Sequence, residues 1–370
     1  MIDKILKIFE KEKLFITIKP EILREIVEKG RNIHGTYKEL AKVSKVSSSS
    51  LHRFTKNVPI AVSSNLLIDL TNSVGAIINK DNIIKIQTNN TSYPLSAKML
   101  FLKYPFSILD ELDYYLLGAI ASDGSVYSRK ISLRISPEDV EFSAIQIFTL
   151  TKLAEKVHRQ DVHISIGIDR GKKKFGKPTT DVYISSSIFQ IFLEKILKVN
   201  FGTNYSVPYW LYANKEFVYP WLAGLADGDG YIWRNINKYG NEEWFLRIDN
   251  GSSEPLSNIK KLLTKQICDF SSEPRQKKGT NDFVLTIATT KILQEVFPRM
   301  LPFVFIEQKR ERIIQALDYL QQKGIDTKIP ESQRTTRNPV MDKIVEFLKE
   351  RNLLAKLQNW EKLETYGKKL

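Results

Sequence analysis

Two short stretches constrain this chain more than anything else in it. Trp221-Leu222-Ala223-Gly224-Leu225-Ala226-Asp227-Gly228-Asp229-Gly230 is an apolar run with two small residues, Gly224 and Gly228, on one side, and it closes on Asp-Gly. Leu116-Leu117-Gly118-Ala119-Ile120-Ala121-Ser122-Asp123-Gly124 repeats that order earlier in the chain, with Gly118 and Ser122 as the small pair. Small residues at i and i+4 share a helix face and let another backbone come close. The glycine after each acid is expected to end its helix in the left-handed conformation. An acid in that position faces the negative end of the helix dipole. Two such helices, packed through their small faces, bring Asp123 and Asp229 to one end. There both carboxylates stay ionised only beside a cation, and a hard divalent ion with oxygen ligands is the usual partner. A separation of about a hundred residues suits a duplicated subdomain better than a solenoid repeat. One copy alone reads equally well as a glycine-ended core helix with a solvated acid; two in register do not.

These residues resemble the LAGLIDADG homing endonucleases, in the monomeric form with both motifs on one chain. The resemblance covers roughly residues 106–325 and is closer at 222–230 than at 116–124, where Ala121 replaces the motif's first acid. It implies an α+β fold, with two pseudo-symmetric αββαββα subdomains forming a saddle over double-stranded DNA in a monomer. It also implies site-specific double-strand cleavage by phosphodiester hydrolysis. Mg2+, with Mn2+ as a substitute, would be held at Asp123, Asp229, Ser122 and Gly228. Arg134 and Arg247 look like the family's peripheral polar residues. The family's lysine near the later helices has no direct counterpart at Glu307 or in residues 201–206, and Lys309 or Lys198 is the substitute in reach. Outward strand residues would meet bases: Tyr127, Arg129, Ser132 and Arg134 in one half, Trp233, Asn235, Asn237, Arg247 and Asp249 in the other. Arginine to guanine and asparagine to adenine are the expected bidentate pairings.

The charge balance agrees with a polyanionic partner. Fifty-six Lys and Arg against 42 acids give a net charge of +14, and no basic amphipathic anchor or lipidation motif redirects that charge to a membrane. The single cysteine, Cys268, excludes an internal disulfide framework, and the four scattered histidines form no HExxH pair. With no apolar run near membrane-spanning length and no signal-like start, the expected location is intracellular, in cytoplasm or nucleoid.

Five regions are expected along the chain. Residues 1–75 read as helical, with helix-spaced apolar positions at 4–13 and 20–29. Residues 36–56 look like a helix-turn-helix that presents Ser49, His52 and Arg53, and Thr36 with Glu39 makes a capping box. A three-helix bundle with no DNA role fits the same pattern. Residues 76–105 read as a linker containing one strand near 81–87. The two subdomains follow at 106–213 and 214–325, and the tail at 326–370 carries helices near 340–351 and 353–366. The basic stretches holding Lys172, Lys173 and Lys174 in one copy, and Lys277 and Lys278 in the other, fall at matching hairpin tips suited to phosphate contacts. Residues 171–177 nearly spell a Walker loop, but Pro178 stands where Ser or Thr is needed.

Three functions fit these features: a homing-type endonuclease, a catalytically silent DNA-binding regulator on the same scaffold, and an RNA maturase. The paired acids favour the first, and the absent family lysines speak for the second.

Overall fold

The computed structural model describes residues 13–88, 95, 96, 99, 105–127, 130–136, 138–158, 164–169, 179–202, 204–288, 290–327 and 329–365. The fold is α+β, and the chain divides into two compact units. The smaller holds residues 1–107, 154–162 and 185–197; the larger holds the remainder.

The smaller unit begins with β1 (Leu14–Ile18), α1 (Pro20–His34), α2 (Tyr37–Ser44) and α3 (Ser48–Phe54). It continues through β2 (Ala61–Ser63), α4 (Ser64–Val74), β3 (Ile83–Thr88) and β4 (Leu95–Ser96). The strands form one sheet in the order β2-β1-β3-β4. This corrects the expectation of an all-helical N-terminal domain. Leu14, Ile16 and Ile18 alternate into the core and are fully buried, a β-branched signal hidden between two helix-like stretches. The strand expected inside a linker is β3, which is hydrogen-bonded to β1 on one side and β4 on the other. Residues 4–12 lie outside the described residues.

Helices α2 and α3 are joined by Lys45, Val46 and Ser47. Lys45 takes the left-handed conformation (φ 53°), Val46 is buried, and Ser47 caps α3 by accepting from Ser50 N (3.1 Å). Thr36 accepts from Glu39 N at 3.1 Å, the first half of the expected capping box. Close packing of α1 on its neighbours centres on Gly30, where a Cβ would meet Leu40 Cδ2 at 2.7 Å and Val74 Cγ1 at 2.8 Å.

The larger unit opens with α5 (Glu111–Asp123), β5 (Gly124–Tyr127), β6 (Lys130–Ile135), α6 (Val140–Val157), β7 (Ser165–Asp169) and β8 (Thr179–Ser185). The last turn of α6 and helix α7 (Ser187–Ile191), extended by a π turn at Phe192–Ile196, belong to the smaller unit. There Ser187 Oγ meets Thr88 Oγ1 of β3 at 3.1 Å. The second copy runs α8 (Val218–Gly228), β9 (Gly230–Ile236), β10 (Glu242–Asn250), α9 (Ser253–Gln266), β11 (Arg275–Gln276), β12 (Phe283–Ile287), α10 (Thr290–Met300) and α11 (Glu307–Gln322). The two sheets share one strand order, β5-β6-β8-β7 and β9-β10-β12-β11.

Period-two alternation sorts each sheet into two faces. Ile131, Leu133, Ile135, Val182 and Ile184 are buried on the first; Ile232, Leu246, Ile248, Leu285 and Ile287 are buried on the second. The opposite face of the second sheet carries Tyr231, Trp233 and Asn235 beside their register partners Arg247, Phe245 and Glu243.

The tail packs on the larger unit through α12 (Met341–Glu350) and α13 (Glu361–Thr365). The helix expected over 353–366 is broken: a 3-10 turn occupies Leu354–Lys356, and Asn352 and Asn359 hold φ near +54° and +57°. Arg310, fully buried on α11, donates to Thr335 O (2.6 Å), Leu301 O and Gln333 O (2.7 Å). Asn338 donates to Pro302 O (2.8 Å) and Val304 O (3.0 Å), and Phe347 packs edge-on against Phe148 of α6 at 4.9 Å. The tail therefore touches both copies. Among the described residues no helix is long and apolar enough to cross a membrane.

Candidate active site

The site is built on the contact between α5 and α8. Gly118 lies so close to α8 that a Cβ there would stand 1.9 Å from Trp221 O. Gly224 lies equally close to α5, 1.9 Å from Tyr115 O by the same measure. The two contacts exchange when Tyr115 and Gly118 are swapped for Trp221 and Gly224, which is what a pseudo-two-fold axis between the helices requires. One turn further on, a Cβ on Gly228 would meet Ser122 Oγ at 2.0 Å and Asp123 Oδ2 at 2.2 Å. The small-residue faces thus pack as the spacing predicts, and they bring the two helix ends together.

The glycines that follow the acids work differently from expectation. Gly124 is extended (φ −74°, ψ 141°), and Gly230 is not among the positive-φ residues. What both need is room: a Cβ on Gly124 would meet Ile120 O at 2.2 Å, and one on Gly230 would meet Ala226 Cα at 2.5 Å.

Asp123 is the last residue of α5 and Asp229 caps α8. Burial raises the Asp123 carboxyl to about 6; Ser122 and Lys309 hold it down, and Asp139 pushes it up. Burial and then the charge of Asp123 raise Asp229 to about 7, with Lys309 opposing and Asp249 adding to the rise. The charge of Asp123 thus bears on Asp229, next to the Gly228 position where a Cβ would meet Asp123 Oδ2 at 2.2 Å. The single hydroxyl proton of Ser122 is shared between Ala119 O (2.9 Å) and Asp123 Oδ2 (3.1 Å), which ties the carboxylate to the end of α5.

Lys309, in the first turn of α11, is drawn into this centre. Its ammonium donates to Ala226 O and Asp227 O, each at 2.7 Å. A cation there satisfies the carbonyls at the end of α8 and lies along the favourable direction of that helix dipole. Burial lowers its pKa, and Asp227, Asp139, Asp123 and Asp229 oppose that. Asp227 plays no part at the surface. It is buried, and its Oδ2 accepts from Tyr115 Oη (2.9 Å) and Phe305 N (2.8 Å), joining α8 to both α5 and the lead-in to α11. Burial raises it to about 6, with Lys309 the largest opposing charge.

Other expected residues lie elsewhere. Arg134 is exposed on β6 and paired with Asp181 Oδ1 at 3.1 Å. Arg247 on β10 has its guanidinium carbon 5.8, 5.7 and 5.6 Å from the ring centres of Tyr231, Trp233 and Phe245. Ser132 Oγ meets Ser125 Oγ at 2.9 Å. Trp233 and Asn235 are exposed on β9, whereas Asn237 builds the hairpin turn, accepting from Tyr239 N and Asn241 N. Lys277 is tied to Asp249 Oδ2 and Lys278 is exposed. Asp249 N in turn donates to Asp229 O (3.3 Å), a link between the sheet and the site that sequence reading missed. Ser49, His52 and Arg53 are exposed on α3, with the His52 ring edge-on to Tyr37 at 4.5 Å. Arg129, Lys172, Lys173, Lys174 and the side chain of Tyr127 lie outside the described residues.

No family model and no curated protein matches this sequence. Solved structures do. The I-SmaMI LAGLIDADG homing endonuclease bound to cleaved DNA aligns at 15% identity over 58% of this chain and 90% of that one, with a TM-score of 0.38. The homing endonuclease I-WcaI bound to its DNA recognition sequence aligns at 12% identity over 55% and 87% of the two chains, with a TM-score of 0.39. I-DmoI in complex with DNA and Mn aligns at 15% over 51% and 96%, with a TM-score of 0.34. What this chain does has to be read from its own residues.

A divalent cation is compatible with those residues. Among the described residues no three His, Cys, Asp or Glu side chains stand together as a metal group. Two hard carboxylates whose charges repel each other in a buried setting nevertheless match an ion that keeps much of its water shell.

Proposed function

We propose that this chain is a site-specific double-strand DNA endonuclease of the homing type, acting by metal-dependent phosphodiester hydrolysis. The observation that carries the reading is the glycine contact between α5 and α8. It forces two acids to one end of a helix pair, where the charge of Asp123 raises Asp229. Holding two like charges together destabilises a fold, and a divalent cation relieves it. When bound, Mg2+ or Mn2+ supplies Lewis-acid polarisation of the phosphate and an activated water. Asp123 and Asp229 would hold it, Ser122 would keep Asp123 oriented, and the close approach of Gly228 would leave no side chain between the acids. Lys309 would keep the end of α8 in place and offset part of the negative charge.

The outward sheet residues Ser132, Trp233, Asn235 and Arg247 would meet the DNA, and Lys278 would meet phosphate. Helix α3, with Ser49, His52 and Arg53, would add a second DNA contact. Net charge supports a polyanionic partner. The reading is tested by incubating the protein with a plasmid library of random target sites, with Mg2+, Mn2+ or EDTA, and sequencing linearised products. Metal-dependent linearisation at one sequence is expected.

A silent DNA-binding regulator is the second reading. It is favoured by the engagement of Lys309 with helix carbonyls and of Arg134 with Asp181, which commits two cations to structure. Tight binding to one sequence without cleavage in any metal would select it.

A further inference from the structure

We propose that residues 329–338 are a strap that positions the two-acid centre, with Arg310 and Asn338 as the positioning residues that fasten it to the start of α11. The proposal rests on the nuclease reading. Beyond α11 the chain runs back along that helix. Thr327 accepts from Gln321 Nε2 at 2.8 Å and donates to Leu317 O at 3.3 Å. Arg334 donates to Asp318 Oδ1 (2.7 Å) and Gln321 Oε1 (2.9 Å). At the helix start, Arg310 donates to Gln333 O, Gln333 Oε1 and Thr335 O on the strap, and to Leu301 O on the lead-in to α11. Asn338, 1% exposed, donates to Pro302 O and Val304 O of the same lead-in.

The start of α11 needs this hold. Ile306 precedes its first turn and offers no side-chain cap, so tertiary bonds fix that end of the helix. Consecutive helix residues point roughly 100° apart. Arg310 accordingly faces the strap, while Lys309 reaches Ala226 O and Asp227 O at the end of α8. The lead-in is held from two sides as well: by Arg310 and Asn338 on one, and on the other by Phe305 N donating to Asp227 Oδ2 at 2.8 Å. Both links to α8 therefore start from a segment whose place the strap sets, and they land on the two residues that stand just before Gly228 and Asp229.

A buried guanidinium gives up its acceptors only at a large desolvation cost. Arg310 is fully buried, so the strap and the start of α11 hold one another in place. Loosening the strap displaces Lys309 and the end of α8. A small misplacement of that kind lowers the rate of the chemical step, while the outward sheet residues that would meet DNA keep their places.

The experiment compares full-length wild type with Asn338→Ala and with Arg334→Gln, which loosens the partly exposed side of the strap and decides the matter if the buried variant fails to fold. Each protein is followed by hydrogen exchange at the 301–306 amides, by DNA affinity, and by single-turnover cleavage of the selected site at saturating protein and Mg2+, scaled to the folded fraction. For Asn338→Ala, exchange at Phe305 should quicken about tenfold or more, with β10 and β12 unchanged. Affinity should stay at the wild-type value, and both strands should be cut about tenfold more slowly. Arg334→Gln should move the same readouts the same way by less. Wild-type exchange at 301–306 would overturn the strap's hold on the lead-in. Faster exchange with wild-type cleavage per folded molecule would overturn the positioning role, and so would slower cleavage accounted for by weaker affinity. If wild type cuts no site in any metal, the nuclease reading has failed, and the positioning role goes with it.

Discussion

In the second half of the larger unit, Asp227 is buried between Tyr115 and Phe305, and Lys309 closes the end of α8. In the first half, Ala121 stands where Asp227 would be, and among the described residues no lysine donates to the carbonyls at the end of α5. The outer sheet faces differ as well. Arg247 sits among three aromatic rings, while Arg134 is spent on Asp181. What the halves keep in common is narrower: strand order, the glycines at the helix contact, and the final acids. A duplicated fold can lose symmetry wherever a side chain only supports its own half. It cannot lose it where the two backbones touch.

The largest effect should come from that touching surface. Gly118→Val and Gly224→Val each place a side chain against a carbonyl oxygen 1.9 Å from an ideal Cβ, and each should cost about 3 kcal/mol or more in denaturant unfolding. Gly167→Ala, where the nearest atom is 3.8 Å away, should stay within about 0.5 kcal/mol. Unequal costs for the two valines would break the pseudo-two-fold description.

A second difference between the halves is readable in pH. The folded pKa of Asp229, about 7, lies above the ordinary carboxylate value of 3.8. The native state then holds its proton more tightly than the unfolded chain, so stability is greatest at acid pH and falls as pH rises from about 4 through 7. Asp229→Asn should therefore stabilise the metal-free protein by up to roughly 4 kcal/mol at pH 8 and by almost nothing at pH 4. Asp123, raised to about 6, should show the same sign with a smaller gain. A pH-independent change in Tm would mean that folding raises the pKa of neither acid.

Asp227→Ala should cost about 2 kcal/mol, because it leaves Tyr115 Oη and Phe305 N without their acceptor. This asks whether the second half depends on a support that the first half manages without. The smallest effect belongs to the basic hairpin. Lys278→Gln should reduce the salt slope of DNA binding by about one, and Lys277→Gln by less, since its ammonium is held by Asp249.

Much of this centre was legible in the sequence, because the pattern of small residues and acids is itself the packing instruction. Gly118, Gly224, Asp123 and Asp229 meet as their spacing predicts. Lys309 could be named as a substitute lysine, but its carbonyl partners belong to another helix and leave no local trace. The same is true of Asp249, which reaches Asp229 through sheet register. The strand β1 was misread for a different reason: five residues of alternation sit between two helix-like stretches, and the pairing that makes them a strand lies at β2 and β3.

The most direct test of the central claim is strand cleavage by Asp123→Asn and Asp229→Asn, each beside wild type, on the selected site with Mg2+ or Mn2+. The account predicts that wild type cuts, and that each variant binds the site with near-normal affinity and cuts neither strand at a measurable rate. Cleavage that survives either substitution would contradict a shared two-acid centre at the α5–α8 contact.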